Sequence, residues 1–215
     1  MKVAVIGATG FVGTHITNEL VSRNHEVLGI SREAKVSDKK NLTFIKSDVL
    51  NVNELVKAIK GYDVVVSAFN PGWTNPNIYD DYLKGAQSIQ QAVKLAGVKR
   101  YIVIGGAGSL FVAEGLQAVD TPDFPAEIKA GASAARDYYN IVKKEKDLNW
   151  TVFSPALEMH PGITTGRKGK YRLGTDYPVF NEEGRSLLSG EDVAVVIADE
   201  IEAPKHQKKR FTAAY

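Results

Sequence analysis

Three glycines recur in Gly7-Ala8-Thr9-Gly10-Phe11-Val12-Gly13, directly after the β-branched run 3–6 and at the head of a segment, 11–21, with apolar residues at helical spacing. Strand, tight turn and helix in that order leave bare backbone where a pyrophosphate can approach, and they aim the helix N-terminus at it. A dinucleotide is the ligand such a turn serves, with Gly7, Thr9, Gly10, Phe11 and Val12 as the contacting residues. The next strand ends Ile30-Ser31-Arg32. At that place a carboxylate would hold ribose hydroxyls and a cation would hold a 2′-phosphate, which a guanidinium binds through two parallel hydrogen bonds. Ser31 and Arg32 therefore favour NADP(H), while Glu33 keeps NAD(H) open should its carboxylate turn inward instead.

A second constellation is Tyr139-Asn140-Ile141-Val142-Lys143. Residues four apart share a helix face, so Lys143 could lower the pKa of the Tyr139 phenol and let it protonate a carbonyl oxygen as hydride arrives. Against this, the apolar stripe Ala135, Tyr138, Ile141 or Val142 and Leu148 turns Tyr138 rather than Tyr139 toward the interior. Gly106, Ser109, Tyr138 and His160 are the candidate substrate contacts, His160 lying just past Pro155. Trp73, Tyr79, Tyr82 and Phe111 could stack on a flat acceptor. The four histidines, His15, His25, His160 and His206, show no paired ligand spacing, which argues against a metal site.

Elements that must position these residues follow from periodicity. Apolar runs at 25–30, 42–45, 62–69, 100–104 and 150–154 read as further strands. Helical spacing marks 52–59 behind an Asn51 cap, 79–95, 126–146, and a helix from a Ser189 cap to about 201. Shorter strand-like pieces are 171–173, 178–180 and 210–213. Strands alternating with helices predict an α/β fold, a Rossmann-type doubly wound parallel sheet, whose ligands bind outside the carboxyl ends of the strands. Residues 1–215 form one domain, with about 156–190 and 204–215 as a small substrate-side lobe.

Composition narrows the partners. A net charge of +2 and 44% apolar residues fit an ordinary globular protein, with no nucleic-acid partner. No run approaches the ~20 apolar residues of a membrane helix, and glycines interrupt the N-terminal run, so no membrane partner and a cytoplasmic location are expected. The absence of cysteine excludes disulfides and thiolate catalysis. Oligomeric state has no signature in the sequence, and the partner it does suggest is a small-molecule acceptor.

Gly7 to Gly13, Ser47-Asp48-Val49, Ala68-Phe69-Asn70, Gly105 to Ser109 and Phe153-Ser154-Pro155 together resemble an atypical short-chain dehydrogenase/reductase. The short length, with Arg172-Leu173-Gly174 and Arg210-Phe211-Thr212, is similar to the NADH-flavin reductase-like group within it. This resemblance implies that Asp48 and Val49 flank an adenine, that Ala68 and Phe69 line the ribose and nicotinamide path, and that Pro155 borders the nicotinamide. Gly105 joins the cofactor contacts because its bulk-free stretch lets a ligand approach the backbone. The implied activity is an NAD(P)H-dependent reductase passing hydride to a flavin such as FMN or FAD, or to a similar planar acceptor. Alternatives are a carbonyl reductase or epimerase using Tyr139 and Lys143, and a non-catalytic NADP(H) redox sensor.

Overall fold

A computed structural model describes residues 1–33 and 35–215. The first βαβ unit comprises β1 (Lys2–Ile6), α1 (Phe11–Ser22) and β2 (Glu26–Ser31). Next come β3 (Leu42–Lys46), α2 (Val52–Ile59), β4 (Val64–Ser67), α3 (Ile78–Leu95) and β5 (Arg100–Ile104). A hairpin of β6 (Phe111–Ala113) and β7 (Leu116–Gln117) precedes α4 (Ala126–Val142) and β8 (Asn149–Phe153). The chain closes with β9 (Arg172–Gly174), α5 (Gly190–Glu202) and β10 (Lys209–Ala214).

Among the described residues eight strands form one sheet in the order β3-β2-β1-β4-β5-β8-β10-β9, parallel throughout except that β9 runs antiparallel to β10. The central strands are buried on both faces, which is why β1 and β4 read as unbroken apolar runs. One face carries α1 and α5, through Ile16, Leu20, Val193 and Ile197. The other carries α2, α3 and α4, through Leu55, Ile89 and Tyr138. Two of the helix starts follow the capping rule. Asn51 accepts a hydrogen bond from the Glu54 amide and Ser189 from the Asp192 amide.

Strand order reverses at β1, which pairs with β2 on one side and β4 on the other, so the sheet's switch point opens beside the glycine turn.

Three expectations need correction. Residues 204–215, placed in the lobe, supply β10, which pairs with β8 inside the main sheet, because Phe211 and Ala213 belong to its core. Residues 178–180 form no strand: Pro178 lacks an amide donor, and the Phe180 carbonyl is taken by Arg172. The long helix ends at Val142, not Lys146, since Trp150 donates to the Glu145 carbonyl and the Asp147 amide to the Glu145 carboxylate, turning the chain early.

Candidate functional site

A cleft of about 1070 Å³ runs along the carboxyl ends of the strands. The Gly-rich turn forms its middle. Gly7 has φ +78°, and a Cβ there would come 2.5 Å from the Ala68 carbonyl oxygen. At Gly13 a Cβ would meet the Gly7 carbonyl oxygen at 2.1 Å, so this glycine seats α1 against the turn. Gly10 differs: its backbone is extended, and a Cβ would meet only Gly7 O at 3.4 Å, an ordinary contact. Nothing in the fold demands a bare Gly10, whereas a pyrophosphate lying on the turn does. The first turn of α1 has no side-chain cap and no acidic residue, which leaves its amide groups and the positive end of its dipole for an anion. Residues and backbone thus fit a dinucleotide.

At one end of the cleft, the strand ends of β2 and β3 are tied by the Ser47 amide donating to the Ser31 carbonyl at 3.0 Å. Ser31 Oγ donates to the Glu33 carbonyl at 2.5 Å. Arg32 lines the cleft and Glu33 does not. Asp48 accepts from the Leu50 amide, and Ser88 of α3 holds the Val49 carbonyl at 2.6 Å, which fixes the loop that the two residues form along the wall.

Toward the other end stand Ala68, Phe69, Gly105 and Pro155. The Phe69 ring occupies the space a side chain at Gly85 would need, and the Gly105 amide is pinned to the Phe153 carbonyl at 2.8 Å. Every residue expected to contact the cofactor therefore lines this one cleft. Beyond Gly105 the cleft continues between Gly106, Trp73, Phe124, Met159 and His160 and the α4 face formed by Ile128, Gly131, Ala132 and Ala135. His160 sits at this mouth, its Nδ1 accepting from the Gly162 amide.

Six other expected residues are not brought there, among them Tyr79, whose hydroxyl donates to Asp137, and Phe111, whose ring packs on Tyr177. Tyr138 is buried, with its hydroxyl between Tyr101 and Gln90, and burial pushes its phenol well up. Tyr139 packs its ring on Trp150, with centroids 6.5 Å apart, and under the Arg210 guanidinium at 4.8 Å. Burial raises its pKa, the reverse of what an acid pair requires. Lys143 donates to Asn140 and reaches only the ring of Tyr139, 5.5 Å from its centroid. Ser109 is 1% exposed and braces the floor from behind. It donates to the Gly106 carbonyl at 2.8 Å, while Arg210 donates to its carbonyl at 2.6 Å.

Sequence reasoning missed the small-residue wall of α4. For the wall a signal existed, since Ile128, Gly131, Ala132 and Ala135 fall at helical spacing. Arg210 had none, lying a hundred residues from the serine it supports. Among the described residues no group of three or more His, Cys, Asp or Glu side chains is placed to hold a metal ion. Nor is any described helix long and apolar enough to cross a membrane.

Known proteins agree with this geometry. The chain is 34% identical over 214 residues to YwnB of Bacillus subtilis, covering 99% of this chain and 97% of that protein. A solved structure from Bacteroides thetaiotaomicron, described as a "putative epimerase", shares 42% identity and superposes with a TM-score of 0.90 over 100% of this chain and 96% of the other. Another from Streptococcus pneumoniae, described as a "putative NADH-flavin reductase", shares 35% identity at a TM-score of 0.87, covering 100% and 99% of the two chains. The sequence model of the NAD(P)H-binding family matches residues 7–204, and this chain, with a dinucleotide cleft at its switch point, belongs to that family.

Proposed function

We propose that the protein is an NAD(P)H-dependent reductase, with NADP(H) favoured, whose acceptor is a flavin or a similar planar conjugated molecule. The observation that carries this reading is the wall beyond Gly105. Its α4 face offers Ile128, Gly131, Ala132 and Ala135 and no proton donor, while Trp73 and Phe124 supply flat apolar surface. The nicotinamide, when bound, supplies a hydride. The chain's own part is to bind, orient and keep water out. Amides of the first turn of α1 hold the pyrophosphate, Arg32 takes the 2′-phosphate, and Asp48 and Val49 border the adenine. Gly105 and Gly106 let a ring lie against the backbone, and the Phe69 ring backs the path from the opposite side. Stacking an acceptor on the remaining apolar wall supplies proximity and orientation, which are most of what such a transfer requires. The S. pneumoniae neighbour's description points the same way.

The test is NADPH consumption with a panel of flavins, quinones and aldehydes. Flavins or quinones should be reduced and aldehydes should not. Consumption with aldehydes alone would favour carbonyl reduction, and tight NADPH binding without consumption of any acceptor would favour a sensor. Either result overturns the proposal.

A further inference from the structure

Trp73 lines the cleft and is 57% exposed, yet its indole has a defined seat. The Cζ3 and Cε3 edge of the ring lies over Gly131 of α4, where an added Cβ would fall 2.8 Å from Cζ3 and 3.4 Å from Cε3. The other atom within reach is Ile78 Cδ1, also at 2.8 Å, the tip of a side chain that can rotate aside. Glycine inside a helix costs stability relative to alanine, and the next inward residues of α4 are Ala132 and Ala135. The helix thus forgoes a methyl group at 131 where the indole edge rests. We infer that Trp73 selects the acceptor, as a stacking plate that favours a flat conjugated ring system over a compact carbonyl compound, and that Gly131 is the residue that positions it.

The segment that carries the indole is tied down on both sides of it. Asn70 Oδ1 accepts from the Gly72 amide at 2.7 Å, and Gly72 has φ +116°, a backbone that side chains disfavour. The Asn75 amide donates to the Gly72 carbonyl at 3.1 Å, and the Asn75 side chain donates to Asp81 of α3 at 2.8 Å. Trp73 is therefore held between α3 and α4 at the cleft. Ile128 and Leu157, two further large apolar side chains left exposed, line the same cleft. An indole standing in water forfeits the burial it would supply elsewhere, whereas a flat ring laid on it recovers that burial and adds stacking. The second tryptophan, Trp150, is buried and donates its Nε1 proton to the Glu145 carbonyl, so Trp73 is the one indole that an acceptor can meet.

The inference rests on the reductase reading of the same cleft. Its test compares Trp73→Ala, Trp73→Phe and Gly131→Ala with the parent: KM and kcat for FMN and for menadione at saturating NADPH, NADPH affinity by titration, and thermal melting. Trp73→Ala should raise KM for both acceptors about three- to tenfold, the range of one aromatic stacking pair, with kcat changed less. Trp73→Phe keeps a ring and should recover most of that loss. Gly131→Ala displaces the indole from its seat and should raise KM in the same direction, while the melting temperature holds or rises by about a few degrees because the helix gains an alanine. NADPH affinity should match the parent in all three. Parental KM values in Trp73→Ala would overturn the assignment and leave the reductase reading standing. A rise in KM matched by a loss of NADPH affinity would overturn it too, by making the indole structural, and a parental KM or a lowered melting temperature in Gly131→Ala would overturn the seat. If the parent consumed no NADPH with either acceptor, the reductase reading would fall and this inference with it.

Discussion

Gly10→Val puts a branched side chain on the phosphate turn at a backbone of φ −75° and ψ 174°, an extended conformation that valine adopts freely. Its Cβ meets only the Gly7 carbonyl oxygen at 3.4 Å, so no overlap arises inside the protein. Exchanging glycine for valine at this helix cap costs about 1 kcal/mol, or about 2–4 °C of melting temperature in a domain of this size. Binding responds differently. The two methyl groups stand over the amides that would hold the pyrophosphate. Losing two charge-assisted hydrogen bonds at about 1.5–3 kcal/mol each weakens NADPH by more than about a hundredfold. Gly13→Ala, three residues on, should do the opposite. Its Cβ would fall 2.1 Å from Gly7 O and 2.8 Å from Gly7 C, both backbone atoms that cannot step aside. Overpacking of that kind costs about 1–3 kcal/mol or more, which lowers the melting temperature by about 2–12 °C. Thermal melts and NADPH titrations of the two purified variants separate the effects. A folded Gly10→Val protein with undiminished NADPH affinity would refute the cradle, and an unshifted melt for Gly13→Ala would refute the steric reasoning.

Arg32→Ala should weaken NADPH by about 1.5–3 kcal/mol and leave NADH nearly unchanged, since only the 2′-phosphate distinguishes them. Equal losses in titrations of the two cofactors would show that Arg32 does not read that group. Tyr139→Phe should lower acceptor reduction by less than about tenfold, where loss of a working general acid would cost about 10²–10⁴. A hundredfold drop in turnover with NADPH binding intact would restore the acid pair. Glu145 ties the end of α3 to the turn after α4. Burial raises its carboxyl, but the Asp147 amide, Lys94 and Gln90 outweigh this and hold it at about 2. Its folded value lies below the unfolded one, so the stability it contributes is present above about pH 4.3 and is lost as the pH falls toward 2. Glu145→Gln should therefore cost about 1–2 kcal/mol at pH 7, with the gap to the parent closing by about pH 2 in denaturant titrations. A gap constant over that range would refute the linkage.

The fold was legible because each interior parallel strand is an unbroken apolar run and each crossover a helix, so alternation alone marked β1, β2, β3, β5 and β8 to within a residue at each end, and β4 inside a run that extends two residues beyond it on either side. The residues that line the cleft were legible for a related reason. In an open parallel sheet the site lies at the strand ends, and a strand end can be read locally from a residue such as Gly7, Arg32 or Pro155. Long-range contacts were not. Local pattern does not mark the hairpin in 107–117, whose approach is held by the Ser109 carbonyl accepting from both Gln117 and the distant Arg210. Residues 204–215 were sent to the lobe because a short strand carries no mark of the neighbour it joins.

Tyr139 and Lys143 failed on a distance that the sequence did contain. By rotation alone Tyr139 is four residues past Ala135 and shares its face, which is the cleft face. A helix in a right-handed crossover, however, starts at the carboxyl rim of the sheet and runs back toward the amino end, rising 1.5 Å per residue. Tyr139 is thirteen residues beyond Ala126, about 20 Å along the axis, and a five-residue strand is only about 17 Å long. It is thereby carried below the site, beside Trp150, the second residue of β8. Only the first three turns of α4 can face a ligand at the rim, and their inward residues, Ile128, Gly131, Ala132 and Ala135, bear no proton. The helix that could have carried a general acid presents a smooth wall instead, so under the proposed reduction a proton would come from another group of the cleft, such as His160 at the mouth, or from solvent.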